Sequence, residues 1–171
     1  VPGDVMREAD LYLYDLLPGG AGHTHEIRRH LDVILAEARI LLAGCDCMSS
    51  CHRCLRHYDN QLVHGSLDRK LGLSLLDYVL AGTVPSVSEE EALSAIVPLL
   101  ELLALKGVRF EMDLSAGAPV PLRVESHKAM AWVHVHHPLV DPDASDGPAQ
   151  RAAEATMTPL IALDTHTLVH D

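Results

Sequence analysis

Four cysteines within ten residues form the part of this sequence best suited to chemistry: Cys45, Cys47, Cys51 and Cys54. A zinc ion bound by four thiolates is tetrahedral and has no open coordination position, so such a site stabilises structure and does not catalyse. Iron–sulfur clusters and redox-active or unliganded thiols use the same residue type. A disulfide framework belongs to secreted chains and joins distant loops, which this spacing does not resemble. The spacing favours one structural zinc ion over these alternatives.

Basic side chains and one tyrosine lie around the cysteines and in the segments on either side of them. Guanidinium and ammonium groups bind phosphates, and an aromatic ring can stack on a base. Arginines that are solvated, or paired within the protein, produce the same pattern. The candidate DNA-contact residues are Arg28, Arg29, Arg53, Arg56, Tyr58, Arg69 and Lys70.

A histidine group in the second half of the chain is a weaker candidate for metal binding. His134 and His136 lie on one face of a predicted strand, and Asp164 and His166 are the residues that might join them. Because the chain contains twelve histidines, exposed or hydrogen-bonded imidazoles are the simpler interpretation.

A metal-dependent nuclease of the restriction type is an alternative function for the same half, because a helix followed by three strands is predicted there. Glu111, Asp113, Glu125 and Lys128 are the acids and the lysine that could imitate its site. The spacing from Glu125 to Lys128 is one residue longer than in a Glu-x-Lys pair. The match to such a nuclease is therefore incomplete.

The glycine-containing turn at residues 18–22 does not predict a nucleotide site. No Lys-Ser/Thr pair of a Walker A loop follows it, and the third glycine of a dinucleotide fingerprint is missing. A tight turn between a strand and a helix is the simpler interpretation.

The elements that must position the cysteines are mainly helical. Apolar residues at steps of three and four predict a long helix over residues 24–43, which Gly44 ends directly before the cysteines. We also expect a short strand at residues 10–15, a short helix at 51–60 and a helix from Ser66 that stops at Gly82.

The second half of the chain predicts a helix and a small sheet. A capping box at Ser88 begins a helix that reaches about Leu105 and is kinked or interrupted near Pro98. Strands are predicted at residues 108–114, Leu122–Glu125, 129–137 and 160–163, and a polar loop at 141–148. The fold class is α+β: a helical zinc-binding domain at residues 1–84, and a small helix-plus-sheet domain at 85–171.

Charge and hydropathy restrict the partners. The chain has 13 basic and 24 acidic residues, a formal net charge of −11, which argues against a broad nucleic-acid surface and leaves only a local one. No apolar run approaches the roughly 18 residues of a membrane span, and no signal peptide is visible, so a cytoplasmic protein is expected. The chain begins at Val1 without a methionine, which is typical of a piece of something longer.

The first half resembles a known family. The series Leu13 to Gly22 with its Gly-Gly-Ala-Gly element, the cysteine spacing followed by Leu55-Arg56, and the later Asn60-Gln61, His64 and Leu67-Asp68-Arg69 are similar to the MrfA-type zinc-binding domain. That domain is found at the C-terminal end of bacterial superfamily-two helicases and in helicase-associated phage-defence proteins of the DISARM kind. The resemblance covers about residues 8–82 and implies that the four cysteines bind zinc. It further implies that the domain packs against a helicase motor, in cis or in trans, and helps to organise DNA passage.

The expected function is therefore that of a non-catalytic, zinc-stabilised accessory domain of a helicase or a helicase-associated defence protein, with DNA as a candidate partner. No membrane partner and no bound nucleotide are expected. Residues 85–171 resemble no family that we can name. For them a nuclease, or a protein–protein adaptor based on their net charge of −8, remains the alternative.

Overall fold

The computed structural model describes residues 6–10, 12, 26–112, 122–125, 130–143 and 148–170. These residues contain both helices and a small sheet, so the predicted α+β class is confirmed. The chain forms two compact units. One is Glu8–Val84, which holds the cysteines, and the other is Pro85–Asp171 together with Met6 and Arg7.

The described residues of the cysteine-containing unit include three helices: α1 (Leu31–Ala43), a 3-10 helix (Tyr58–Ser66) and α2 (Arg69–Ala81). Helices α1 and α2 pack against each other. A β-carbon at Gly72 would lie 3.3 Å from the side chain of Leu42, so the absence of a side chain at Gly72 allows the close approach. Arg39 of α1 also forms an ion pair with Asp77 of α2.

The boundaries of these helices follow ordinary capping chemistry. Asp68 precedes α2, and its carboxylate accepts a hydrogen bond from the backbone N–H of Leu71 at 3.0 Å. Gly82 follows α2 with a φ of 66°, in the left-handed region that glycine adopts without strain. Gly44 follows α1, and its N–H donates to the carbonyl of Ile40 at 2.9 Å. The predicted ends at Gly44 and Gly82 are confirmed.

Two helix predictions in this unit need correction. The helix predicted over residues 24–43 is interrupted: Glu26 and Ile27 are helical, residues 28–30 form a turn and a bend, and α1 begins at Leu31. The helix predicted at residues 51–60 is wrong over most of its length: residues 52–55 form a turn, and helical structure, of the 3-10 type, begins only at Tyr58. The strand at residues 10–15 and the turn at 18–22 lie outside the described residues, apart from Asp10 and Tyr12, which have no regular structure.

The second unit is a four-stranded sheet with helices on both faces. Its elements are α3 (Glu89–Ala104), β1 (Arg109–Met112), β2 (Leu122–Glu125), β3 (Met130–His136), α4 (Pro148–Thr156), β4 (Leu160–Asp164) and α5 (Thr165–His170). The strand order is β1-β2-β3-β4. The pairs β1–β2 and β2–β3 are antiparallel, whereas β4 runs parallel to β3 after the connection that contains α4.

Side chains of β3 lie on both faces of this sheet and are buried on each. Val133 and Val135 pack with Ala92, Ile96 and Leu100 of α3 to form the core, against which α5 also packs. By strand alternation, Trp132, His134 and His136 lie on the opposite face, where α4 contacts the sheet. The indole N–H of Trp132 donates to the hydroxyl of Thr156 at 2.9 Å and so fixes α4 to this face.

The predictions for this unit hold for α3 and the four strands. Ser88 and Glu91 form the predicted capping box. Helix α3 continues through Pro98 as one element. Helices α4 and α5 were not predicted. Within the described part of the chain, no helix combines the length and apolarity that a membrane crossing requires.

Candidate metal centre

The four cysteines lie in the segment that joins α1 to the 3-10 helix. Their sulfur atoms all lie within 4.8 Å of one another. Neighbouring sulfurs are 3.5 Å apart for Cys45–Cys47 and Cys45–Cys51, 3.6 Å for Cys47–Cys54 and 3.8 Å for Cys51–Cys54. A tetrahedron of sulfurs about 2.3 Å from a central zinc has edges of about 3.8 Å. The sulfur positions therefore fit one tetrahedral metal ion, and all four thiols are free of disulfides.

The second cysteine pair is shaped by a turn that closes on one carbonyl. The backbone N–H groups of Cys54, Leu55 and Arg56 all donate to the carbonyl of Cys51, at 3.0 to 3.1 Å. Two further N–H groups point at sulfur: that of Cys51 donates to the Sγ of Cys54 at 3.3 Å, and that of Arg53 to the Sγ of Cys51 at 3.4 Å. Backbone donors directed at sulfur stabilise thiolates, which are the form that binds a metal.

The electrostatics of the cluster also favour a bound cation. The backbone N–H of Cys47, with smaller contributions from the Cys51 and Cys47 thiols and from Arg53, lowers the pKa of Cys45 to about 6. Burial and the adjoining thiols raise the pKa of Cys47 to about 12. Thiols this close together oppose each other's ionisation, and a dication at their centre would remove that opposition.

Arg69 holds the cysteine segment from the inside of the unit. Its side chain is buried, with Nη1 donating to the carbonyl of Leu42 at 3.0 Å and Nη2 to that of Cys47 at 2.9 Å. Nε also donates to the carbonyl of Cys47 at 3.3 Å, and the backbone N–H donates to Ser49 at 2.6 Å. The prediction that Arg69 contacts DNA is wrong, because its guanidinium is buried and bound to carbonyls of the protein.

Comparison with known proteins identifies the segment that carries this cluster. Residues 2–55 match the MrfA Zn-binding domain. The match includes all four cysteines, and the expected resemblance is confirmed over these residues. Together with the cysteine cluster, it confirms the predicted cofactor, one structural zinc ion.

One curated relative is a much longer protein, of which this chain spans only a small part. The chain is 47% identical over 97 residues to Druantia protein DruE of Escherichia coli (strain UMEA 4076-1). The alignment covers 54% of this chain and 5% of DruE, so the chain corresponds to a small part of that protein. No solved structure matches the chain.

Hydrogen bonds and a ring contact join the 3-10 helix and the residues before it to the cysteine segment. Asn60 donates through Nδ2 to the carbonyl of Leu55 at 2.8 Å, and Arg56 donates through Nε to the hydroxyl of Ser50 at 2.8 Å. The rings of His52 and His64 meet edge to face, with their centroids 5.7 Å apart. Residues that follow the matched segment therefore help to fix the geometry of the cysteines.

The other candidate DNA-contact residues are placed unequally. Arg56 is half-buried and bound to Ser50. Arg29 is exposed, with Glu26 3.7 Å away. The remaining four residues of the predicted set are also exposed: Arg28, Arg53, Tyr58 and Lys70. Their contact with DNA stays a prediction.

The histidines of the second unit form a pair but no metal site among the described residues. The rings of His134 and His136 stack with centroids 5.8 Å apart, and Nδ1 of the buried His136 lies 2.9 Å from the carbonyl of His137. Asp164, opposite His136 in the β3–β4 register, accepts hydrogen bonds from the backbone and hydroxyl of Thr167. Within the described ranges, the four cysteines are the only group of three or more residues arranged to hold a metal.

The residues of the nuclease alternative are only partly described. Glu111 lies on β1 opposite Arg123, and Glu125 lies on β2 opposite Arg109. Asp113 and Lys128 lie outside the described residues. The described carboxylates thus provide no metal site for a nuclease.

Proposed function

We propose that this chain is a non-catalytic accessory part of a longer protein, stabilised by one zinc ion whose ligands are Cys45, Cys47, Cys51 and Cys54. The observation that carries the proposal is the tetrahedral spacing of four sulfurs inside a segment that matches the MrfA Zn-binding domain. Four protein ligands fill the coordination of zinc, so no position remains for a substrate or a water. The role of the ion is to hold the segment between α1 and the 3-10 helix in shape.

The wider context of this proposal is a cytoplasmic phage-defence protein with a helicase motor, present in cis or in trans. Two observations support it. The MrfA-type domain accompanies helicase motors, as the sequence resemblance implies, and the chain matches a small part of the much longer DruE.

Metal analysis of the purified chain tests the zinc assignment. We expect one zinc per chain, and we expect Cys51→Ser to lose the metal and to melt at a lower temperature, because metal binding contributes directly to folding. Met48→Ser is the matched control, since Met48 is exposed in the same segment and its thioether is not among the four sulfurs. Wild-type protein without zinc, or Cys51→Ser with full zinc content, would contradict the assignment. Iron with inorganic sulfide would indicate a cluster instead.

The proposal includes a local DNA contact through the exposed basic residues of the zinc-binding unit. Fluorescence anisotropy with single- and double-stranded oligonucleotides should show weakened binding for Arg53→Gln and Lys70→Gln. For duplex DNA, each lost phosphate contact lowers the slope of log affinity against log salt concentration by about 0.9. Lys106→Gln removes an exposed lysine from the other unit and should change nothing. Equal binding by all three variants and the wild type would contradict the contact.

The sheet of the second unit leaves the nuclease as a second candidate function. The order of α3 followed by β1, β2 and β3 is the order on which the restriction-type hypothesis rests, and it supports this candidate. Cleavage of DNA with Mg²⁺ or Mn²⁺ that is lost in Glu125→Ala would establish it. Cleavage that persists in this variant would point to a contaminant.

A further inference from the structure

Two arginines bridge α1 and α2, and only one of them also holds the cysteine segment. Arg39 extends from α1 to the carboxylate of Asp77 on α2. Arg69 is the first residue of α2 and reaches the carbonyl of Leu42, in the last turn of α1, as well as the carbonyl of Cys47. The two side chains therefore make comparable links between the helices but differ in their contact with the metal ligands.

The buried guanidinium of Arg69 is surrounded by groups that carry partial or full negative charge. Burial of a guanidinium is costly unless its donors are satisfied, and here three of them bind backbone carbonyls. Leu42 lies in the last turn of a helix, where carbonyls lack intrahelical partners and carry the negative end of the macrodipole. Cys47 is itself one of the four clustered thiols. A zinc ion with four thiolates bears a net double negative charge, which a buried cation beside it offsets.

The contacts of Arg69 also fix the geometry of the segment. Its side chain and its backbone N–H together bind Leu42, Cys47 and Ser49. These carbonyls lie before, within and after the first cysteine pair. Arg69 therefore holds the first cysteine pair against the end of α1 and the start of α2.

We propose that Arg69 is a positioning residue which couples zinc binding to the pairing of α1 and α2. This inference rests on the proposed zinc site. Arg69 does not touch the metal; it holds the first cysteine pair in the geometry that the ion requires and compensates the charge of the thiolates. The coupling runs through Arg69, because this residue contacts the end of α1 and the first cysteine pair at once. A contact between the helices that does not reach the cysteines, such as that of Arg39, does not carry it.

The test uses the full 171-residue chain and the variants Arg69→Met, Arg69→Lys and Arg39→Met. Zinc affinity is measured by competition with a chromophoric chelator, and ligand geometry by the absorption bands of the Co²⁺-substituted protein. Loss of a residue that supports metal ligands typically weakens metal binding by about 10–100-fold, which is the effect expected for Arg69→Met. Arg69→Lys keeps the charge but lacks the planar guanidinium that donates to the carbonyls of both Leu42 and Cys47, so it should also weaken binding and alter the Co²⁺ bands.

Arg39→Met separates positioning from simple helix stabilisation. It removes the other arginine bridge between α1 and α2, so it should lower the melting temperature while leaving zinc affinity and the Co²⁺ bands at their wild-type values. If Arg69→Met does not fold, the affinity of Arg69→Lys decides. Wild-type zinc affinity in the Arg69 variants, or an equal loss of affinity in Arg39→Met, would overturn the coupling while leaving the zinc site intact. A wild-type chain that binds no zinc would overturn both the site and the coupling.

Discussion

The cysteines and Arg69 illustrate what single residues reveal before a structure is known. Four closely spaced thiols predict a metal site because few other arrangements use that residue type so densely. An arginine next to a lysine gives no such signal: Arg69 and Lys70 have the same charge in the sequence, yet the first is buried and the second exposed. The difference arises from the packing of α2 beside the carbonyl of Cys47, a contact 22 residues apart in sequence. The sequence shows that both side chains are positively charged, but it does not show which of them is buried.

His134 makes the stability of the second unit sensitive to mild acid. Burial, and secondarily the charge of His136, lowers the pKa of His134 below its ordinary 6.5. The folded unit therefore binds fewer protons than the unfolded chain once the pH falls below 6.5. Stability is complete above that pH and decreases as the pH falls toward the lowered pKa. Denaturant unfolding followed by the fluorescence of Trp132, between about pH 7.5 and pH 5.5, measures this loss.

Replacement of His134 separates this effect from other acid-sensitive groups. In His134→Gln the decrease in stability near pH 6.5 should be smaller, whereas His30→Gln, at an exposed histidine of the other unit, should leave it unchanged. Asp164 acts in a lower range: burial opposes its ionisation, but the hydrogen bonds from Thr167 and the charges of His136 and Arg7 lower its pKa below 3.8. A His134→Gln profile identical to that of the wild type would show that His134 is not the group responsible.

Helix α3 begins with a capping box between Ser88 and Glu91. These residues are three apart in sequence, so the start of the helix could be predicted. The hydroxyl of Ser88 accepts from the N–H of Glu91 at 3.2 Å, and the Glu91 carboxylate accepts from the N–H of Ser88 at 3.0 Å. Ser88→Ala removes this cap and should cost about 1 kcal/mol of unfolding free energy. Ser94→Ala, at an exposed position inside the same helix, should be neutral or slightly stabilising. Chemical denaturation of the two variants gives the comparison, and equal stabilities would contradict a role for the cap.

Helix α2 ends at a glycine with a left-handed backbone, and Gly65 in the same unit is a glycine without this conformation. Gly82 has a φ of 66°, which an L-amino acid adopts only with strain, so Gly82→Ala should destabilise the cysteine-containing unit by about 1 kcal/mol. Gly65 has free space around its α-carbon and no positive φ, so Gly65→Ala should be tolerated. Thermal melting of both variants followed by circular dichroism distinguishes them. A Gly65→Ala variant as unstable as Gly82→Ala would show that the backbone angle is not the cause.

The elements that were mispredicted lack such local signals. Helix α4 is rich in alanine and contains no stripe of large apolar residues, and α5 has only six residues. After Cys51 the local hydrogen bonding replaces the predicted helix: three successive N–H groups bind one carbonyl, which closes a turn around the thiols. The strands could be predicted because alternation along β3 reflects burial on both faces of the sheet.

At the scale of the whole molecule, the cysteines and the tryptophan lie in different units, so metal binding and tryptophan fluorescence can be measured on each unit separately. The cysteines lie in Glu8–Val84, and the single tryptophan, Trp132, lies buried in the other unit beside Thr156. Each unit has its own hydrogen bonds and its own buried residues, so each can respond to a perturbation separately. Metal chemistry therefore acts on one unit, and tryptophan fluorescence reports on the other.

Removal of zinc should unfold one unit only. With excess chelator, far-ultraviolet circular dichroism should lose the contribution of α1 and α2, because the ion no longer holds the cysteine segment that follows α1 and that Arg69 of α2 contacts. The emission maximum of Trp132 should stay where it is in the untreated protein. Cys51→Ser should reproduce this spectrum without chelator, and Met48→Ser should resemble the wild type. Renewed zinc should restore the helical signal in the wild type but not in Cys51→Ser. A shift of the Trp132 emission that follows the helical signal would mean that the chain unfolds as one cooperative structure, and the division between Val84 and Pro85 would then describe its geometry but not its stability.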